Sequence, residues 1–178
     1  MVPNHMRRTV HSGTGYALRT LGLHLVRHAS ALNRSGFDGF DLDRPLSDLG
    51  LQQASTLVSF FDDAPIRAIW SSRATRCLQT VGPLAAAHNM EVNPVDLLTE
   101  GARAVGIVEA LRDEAATDGD LVLCSHGDLI PEALNRLLRD GMSIIGARGC
   151  ENGSVWTLDT RGRDIVSGVY TAKPGVSG

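Results

Sequence analysis

Two histidines in this chain come directly after apolar runs that are typical of buried strands. The first run, residues 21–26, is followed by Arg27 and His28, and the second, residues 121–125, is followed by His126. In open α/β sheets, ligands bind just beyond the carboxyl ends of the strands. A guanidinium and two imidazoles at that edge indicate an anion site, because arginine offers a fork of N–H donors and histidine can carry a proton near neutral pH.

Two further polar segments lie at or just after the ends of predicted strands. One is segment 71–76, which contains Arg73, and the other is segment 98–101, which contains Glu100. Because the strands of a parallel sheet end at the same edge, we expect these groups to gather around one opening with both histidines. Arg73 would also lie at the start of a helix, where the helix dipole favours an anion.

Alternating strand and helix patterns indicate how these groups would be positioned. Apolar runs predict strands over about 21–27, 66–71, 92–97 and 121–125, and a C-terminal hairpin over 155–158 and 165–170. Helical spacing predicts helices from the Ser47 N-cap to about 61, from about 72 to 88, over 102–116, and one with Pro131 in its first turn. This order predicts an α/β fold, a three-layer αβα sandwich whose mostly parallel sheet carries an antiparallel C-terminal edge hairpin.

Length and composition indicate one domain without a large charged surface. The 178 residues fit a domain at 21–172, between a flexible arm at 1–20 and a flexible tail at 173–178. The net charge of −3 argues against a nucleic-acid or membrane partner, and no apolar run approaches the roughly 20 residues that span a bilayer. The three widely spaced cysteines form no disulfide framework and favour the reducing cytoplasm.

Taken in this order, the motifs resemble the histidine phosphatase superfamily, also called phosphoglycerate-mutase-like, over roughly residues 21–170. The resemblance includes features of the short SixA-type branch. It is carried by Arg27-His28-Ala29, Arg44-Pro45-Leu46-Ser47 before a helix, Ser71-Ser72-Arg73-Ala74, Glu100 and Ser125-His126-Gly127. Ala29 stands where the family signature has glycine, a change that short members tolerate.

The resemblance implies a phosphatase that needs no metal and no other cofactor. His28 would be the nucleophile and would form a phosphohistidine, which water then hydrolyses. Arg27, Arg73 and His126 would bind the phosphoryl oxygens, and Glu100 would protonate the leaving oxygen and then deprotonate the water.

The residue types suit this chemistry on physical grounds. Phosphoryl transfer spreads charge over three oxygens, so catalysis is mostly positioning and electrostatic stabilisation. His28 must present an unprotonated nitrogen to phosphorus, while its other nitrogen donates to a fixed acceptor, for which we expect a backbone carbonyl. In the loop after His28, we expect Arg34 to be an auxiliary phosphate contact, and Arg44 is the alternative.

Two rival functions and several substrates stay open from the sequence. A mutase-type phosphotransferase is disfavoured, because the segment between Arg73 and Glu100 lacks room for the insertions that cover the substrate in mutases. A non-catalytic phosphate-binding protein would need neither the nucleophile His28 nor the proton donor Glu100, so the presence of both argues against it. The substrate could be a phosphorylated small molecule, a nucleotide, or a phosphoprotein carrying phosphohistidine. The SixA-type resemblance suggests phosphohistidine, and similar short bacterial modules act on nucleotides.

Other polar residues have simpler interpretations. We interpret Asp38, Asp41 and Asp43 as a solvated turn, because a Ca²⁺ loop would place a glutamate at its end. His24 is expected to be structural, and Cys124 to be a small core residue in mid-strand.

Overall fold

The structure, a computed structural model, describes residues 22–172 and 174. Its strands are β1 (Leu23–Arg27), β2 (Ile66–Ser71), β3 (Val92–Pro94), β4 (Asp120–Ser125), β5 (Ser143–Ile145), β6 (Val155–Arg161) and β7 (Asp164–Thr171). Its α-helices are α1 (Asp48–Phe60), α2 (Thr75–Ala87), α3 (Ala104–Glu114) and α4 (Leu129–Arg139). Short 3₁₀ turns lie at Arg34–Gly36, Asp41–Asp43 and Asp96–Leu98. The predicted arm at 1–20 lies outside the described residues, as does the predicted tail except for residue 174.

The strands form one seven-stranded sheet in the order β3-β2-β4-β1-β6-β7-β5. Strands β3, β2, β4 and β1 are parallel, and β6 runs antiparallel to both β1 and β7. The predicted α/β fold and the C-terminal hairpin are therefore confirmed. The sequence did not predict β5, a three-residue strand that pairs parallel to β7 and forms the outermost edge, because so short an apolar run gives no periodic signal.

The two faces of the sheet are covered by different helices, which gives the expected three layers. Leu25 points to the face covered by α3 and α4, where it joins a buried cluster with Ile107 and Leu134. The next residue, Val26, points to the opposite face and packs with Leu57 of α1 and with α2. This alternation follows from the two-residue period of a strand, and both faces are apolar because both are buried.

The pairing of β1 with β4 brings the two histidine segments together. Arg27 lies opposite Ser125 in the parallel register, and the amide of His28 donates to the carbonyl of Ser125 over 2.9 Å. His28 and His126 therefore leave adjacent strands at the same level. On the other side of β4, β2 ends beside them, with Ser71 opposite Cys124.

Helix α1 fixes the loop that follows His28. Ser47 caps the helix, its hydroxyl accepting from the amide of Gly50 over 3.2 Å and donating to the carbonyl of Ser30 over 3.0 Å. A Cβ on Gly50 would lie 1.9 Å from that same carbonyl oxygen. Only glycine therefore allows α1 to approach the loop this closely.

In the described part of the chain, no helix is both long enough and apolar enough to cross a membrane.

Candidate active site

A cavity of about 410 Å³ opens at the carboxyl ends of β1 and β4, where the sequence predicts the anion site. Its lining includes Arg27, His28, Glu100 and His126, together with Arg34, Arg44, Gly127 and Asn152. The position follows from the parallel order of the strands, because adjacent strand ends with outgoing loops leave a crevice between them.

His28 is held in a single neutral tautomer. Its Nδ1 atom lies 2.8 Å from the carbonyl oxygen of Ala29, and since a carbonyl can only accept, Nδ1 carries the proton. Burial lowers the pKa of His28 to about 4, against the opposing effect of the Ala29 hydrogen bond, and the charges of His126, Arg76 and Arg27 lower it further. Near neutral pH, the Nε2 atom therefore keeps an unprotonated lone pair.

The acceptor carbonyls beside His28 are themselves held by a distant side chain. The amide nitrogen of Asn152 donates to the carbonyl of His28 over 3.2 Å and to that of Ala29 over 3.4 Å. The orientation of the nucleophile candidate thus depends on the segment before β6. No local sequence pattern indicates this residue, since the contact spans more than a hundred positions.

His126 lies next to His28, with ring centroids 5.3 Å apart. Its Nε2 atom is 2.9 Å from the Ser72 hydroxyl, and its Nδ1 atom is 3.5 Å from Nη2 of Arg76. A guanidinium can only donate, so Nδ1 accepts in this arrangement and Nε2 donates to Ser72. The strand-end motif of β2 thereby orients the second histidine.

Arg27 is packed against the backbone of the second histidine motif. Its Nη1 atom donates to the carbonyl of Cys150, and its buried Nε has no hydrogen-bond partner within the described residues. A Cβ on Gly127 would lie 2.7 Å from the guanidinium carbon, so glycine after His126 makes room for this side chain. An unpaired buried donor is costly, and such groups are typical of sites that bind a ligand.

A buried arginine, Arg76, lies three residues after Arg73, the arginine that the sequence analysis selected. Arg76 is 2% exposed, lies in the first turn of α2, and its guanidinium contacts Glu100 and His126, both of which line the cavity. The Arg73 side chain is 57% exposed and pairs with Asp96, with Nε 2.7 Å from Oδ1. Arg73 precedes α2 and lies outside the cavity lining.

Glu100 takes part in a network of arginines and carboxylates at the cavity mouth. Its Oε2 atom is 2.6 Å from Nη2 of Arg76, and its Oε1 atom is 3.2 Å from Nη2 of Arg34. Asp41 joins the same network, since it contacts Arg34 at 2.9 Å, Arg44 at 2.8 Å and Arg76 at 3.1 Å. The hydrogen bond from Arg44, with the charges of Arg76 and Arg34 nearby, holds the pKa of Asp41 below its ordinary value.

Residues 23–102 match the sequence model of the "Histidine phosphatase superfamily (branch 1)". Over these residues, the expected resemblance to the histidine phosphatase superfamily is confirmed.

Proteins similar to this chain include several phosphatases. An 8-oxo-(d)GTP phosphatase of Mycolicibacterium smegmatis is 30% identical over 84% of this chain, which spans 48% of that protein's length. A SixA-type protein from Nakamurella multipartitia is 26% identical, with a TM-score of 0.60 over 78% of this chain and 83% of its own. The protein histidine phosphatase SixA complexed with tungstate has the same fold, with 15% identity and a TM-score of 0.66 over 85% and 94% of the two chains.

The structure brings together most of the site residues that the sequence selected. Arg27, His28, Arg34, Glu100 and His126 line one cavity, and Arg44 lines it as well. Neither Arg73 nor Arg76 lines it, but Arg76 contacts two residues that do, Glu100 and His126. The sequence analysis also missed the contacts that Asp41 makes with three arginines, because we interpreted it as one of three solvated turn carboxylates.

Proposed function

We propose that the protein is a metal-independent phosphatase that hydrolyses phosphate monoesters or phosphohistidine through a covalent phosphohistidine at His28. The observation that supports this most directly is the Ala29 hydrogen bond, which leaves the Nε2 lone pair of a buried, neutral imidazole at the cavity. Histidine in this state is a competent nucleophile toward phosphorus.

In the first step, Nε2 of His28 attacks phosphorus and the bond from phosphorus to the leaving group breaks. Arg27 and His126 bind the phosphoryl oxygens, and Arg76 adds positive charge from its position beside Glu100 and His126. Glu100 acts as the general acid and gives a proton to the leaving atom, so the leaving group departs neutral at that atom. The result is a phosphohistidine and a glutamate carboxylate.

In the second step, water attacks phosphorus and the N–P bond breaks. The Glu100 carboxylate takes a proton from this water, which restores the acid form of Glu100 and returns the lone pair to His28. Inorganic phosphate then leaves. The same glutamate serves both steps, because its role in the second is the reverse of its role in the first.

The exposure of the cavity mouth favours hydrolysis over transfer to a second substrate. The side chains of Arg34 and Glu100 are both open to solvent, so water can reach a phosphohistidine at His28. The connection from β3 to α3 contains only one 3₁₀ turn, Asp96–Leu98, and holds no insertion to cover the site. A mutase needs such a cover to keep water from the intermediate.

Phosphate release from a panel of monoesters and a phosphohistidine peptide tests this proposal. The His28→Ala variant should lose turnover, whereas His88→Ala, at the far end of α2, should match the wild type. After acid-free quenching with ³²P-labelled substrate, the wild type should carry an alkali-stable, acid-labile label on the peptide containing His28. Undiminished turnover by His28→Ala would contradict the proposal.

A further inference from the structure

A second cavity of about 490 Å³ lies beside the active site and shares Glu100 with it. Its other lining residues include Leu42, Arg73, Asp96, Thr99 and Ala102. The proposed mechanism uses none of these five. The sequence motifs selected Arg73, which does not line the first cavity. Arg73 lines this second cavity instead.

The position of Glu100 indicates what this second cavity faces. A proton donor must touch the leaving atom of the substrate, and Glu100 is the residue at which the two cavities meet. With the phosphoryl group at His28 and the leaving atom at Glu100, the second cavity is the adjacent space that the leaving group can enter. The second cavity therefore lies where a subsite for the leaving group is expected.

The lining of the second cavity combines apolar contact with a neutral polar pair. Leu42 is 49% exposed although it is a large apolar residue, and Ala102 lies in the same wall. Arg73 and Asp96 balance each other in charge, with Nε 2.7 Å from Oδ1. A leaving group with its own negative charge, such as a glycerate, would gain no net attraction from this pair.

We propose that the second cavity binds a nucleoside, so that the preferred substrate is a nucleoside monophosphate. This inference rests on the proposed phosphatase function and adds the substrate class. A nucleoside is neutral at pH 7 and carries a flat base whose faces suit Leu42 and whose edge holds N–H donors and ring acceptors. The Asp96 carboxylate can accept from that edge, and the Arg73 guanidinium can donate to it or stack on the base. Cavities of this size hold ligands of about this bulk.

GMP and ribose 5-phosphate, which differ only in the base, provide a matched pair of probes. Binding is measured by calorimetry on the His28→Ala protein, so that neither compound is consumed, and kcat/KM is measured on the wild type. We expect GMP to bind at least about tenfold tighter than ribose 5-phosphate, and to show a similar advantage in kcat/KM, because binding energy from a remote group can be used in the transition state.

Two substitutions should remove this preference. Leu42→Ser and Arg73→Ala should each reduce the GMP advantage severalfold and leave binding of ribose 5-phosphate nearly unchanged. Their matched controls are Leu49→Ser, an exposed leucine on α1, and Arg163→Ala, an exposed arginine paired with Asp113. Both controls lie outside the two cavities and should keep the full preference.

The outcomes separate this inference from the proposed function. Equal binding and equal turnover of the two probes would overturn the nucleoside subsite and leave the phosphatase function standing. Tight binding of GMP without phosphate release from any substrate would support the subsite and overturn the phosphatase function. Turnover of a phosphohistidine peptide with no preference for GMP over ribose 5-phosphate would also overturn the subsite, in favour of a phosphoprotein.

Discussion

The Nη2 atom of Arg76 lies 2.6 Å from Oε2 of Glu100, which joins a buried guanidinium to the proposed proton donor. The same nitrogen lies 3.1 Å from Oδ2 of Asp41. A phosphate that enters the cavity is a third anion near this guanidinium. We therefore expect a bound phosphate to compete with Glu100 and Asp41 for this guanidinium.

The two arginines of the β2–α2 connection can be compared directly. Arg76→Ala should weaken inhibition by inorganic phosphate and lower kcat/KM by roughly 100-fold, the usual effect of losing one group that stabilises transition-state charge. Arg73→Ala should weaken phosphate inhibition far less, because its exposed guanidinium pairs with Asp96, whereas that of Arg76 contacts Glu100 and His126. Arg76→Lys keeps the charge and should recover part of the loss. A larger loss of phosphate affinity in Arg73→Ala than in Arg76→Ala would refute this assignment.

Glu100→Gln should slow different substrates to different degrees. A glutamine cannot give a proton, so monoesters with poor leaving groups should lose far more rate than activated aryl phosphates, which leave without protonation. The measurement is kcat for alkyl and nitrophenyl phosphates in both proteins. Equal slowing of both classes would deny Glu100 the acid role.

The pH titration of His28 should be displaced to acid. With a pKa of about 4, where an ordinary histidine has 6.5, the imidazole stays neutral and nucleophilic down to about pH 4. The unfolded chain takes up this proton near 6.5, so the free energy of unfolding should decrease as the pH falls from about 6.5 through 4. Imidazole ¹⁵N shifts, assigned with His28→Gln, measure the midpoint in the phosphate-free protein. A midpoint near 6.5 would show that burial does not control this group.

Gly127→Ala should displace Arg27 without unfolding the protein. The new Cβ would lie 2.7 Å from the guanidinium carbon, and the far end of a flexible side chain can move away. We expect weaker phosphate binding with a nearly unchanged melting temperature. Gly106→Ala is the matched control, since its Cβ would approach nothing closer than Leu97 at 4.0 Å. Unchanged phosphate affinity in Gly127→Ala would contradict the role of Arg27.

Gly50→Ala should instead destabilise the fold. Its Cβ would lie 1.9 Å from the backbone oxygen of Ser30, and neither the loop nor α1 can move without breaking the Ser47 contacts. Overpacking of this kind costs about 1–3 kcal/mol. Chemical denaturation of Gly50→Ala beside Gly106→Ala measures the difference. A free energy of unfolding equal to that of Gly106→Ala would show that α1 can move aside.

The sequence predicted the sheet and the paired histidines because their signals are local. An apolar run of strand length ending in a polar motif is visible at His28 and at His126, and the βα alternation then places both at one edge. The hydrogen-bonded capping of α1 by Ser47 was also predictable, since the helix N-cap has a characteristic residue type.

The choice between Arg73 and Arg76 depended on where α2 begins. The sequence analysis started the helix at about Ser72, directly after the strand, whereas the structure starts it at Thr75, which leaves Arg73 before the helix. A usable signal existed. Arg76, Thr80 and Leu84 recur every four residues, and all three are buried, which places the arginine on the inward face of the helix.

Asp41 could not have been selected in the same way. It lies in a short 3₁₀ turn, and its partners Arg34, Arg44 and Arg76 come from a loop and a helix. Turn carboxylates are usually solvated, and no periodic pattern distinguishes one that meets three arginines. Only the tertiary arrangement of the loop over α2 does so.

Strand β1 lies between β4 and β6, with Leu23 opposite Leu121 on one side and Leu158 on the other. During synthesis, this first described strand must therefore wait for about a hundred residues before either neighbour leaves the ribosome. An apolar ribbon that stays unpaired for so long is open to wrong partners, and pairing across such sequence separations is slow. His28, the nucleophile candidate at its end, can therefore reach its final position only after nearly all of the described chain has been synthesised.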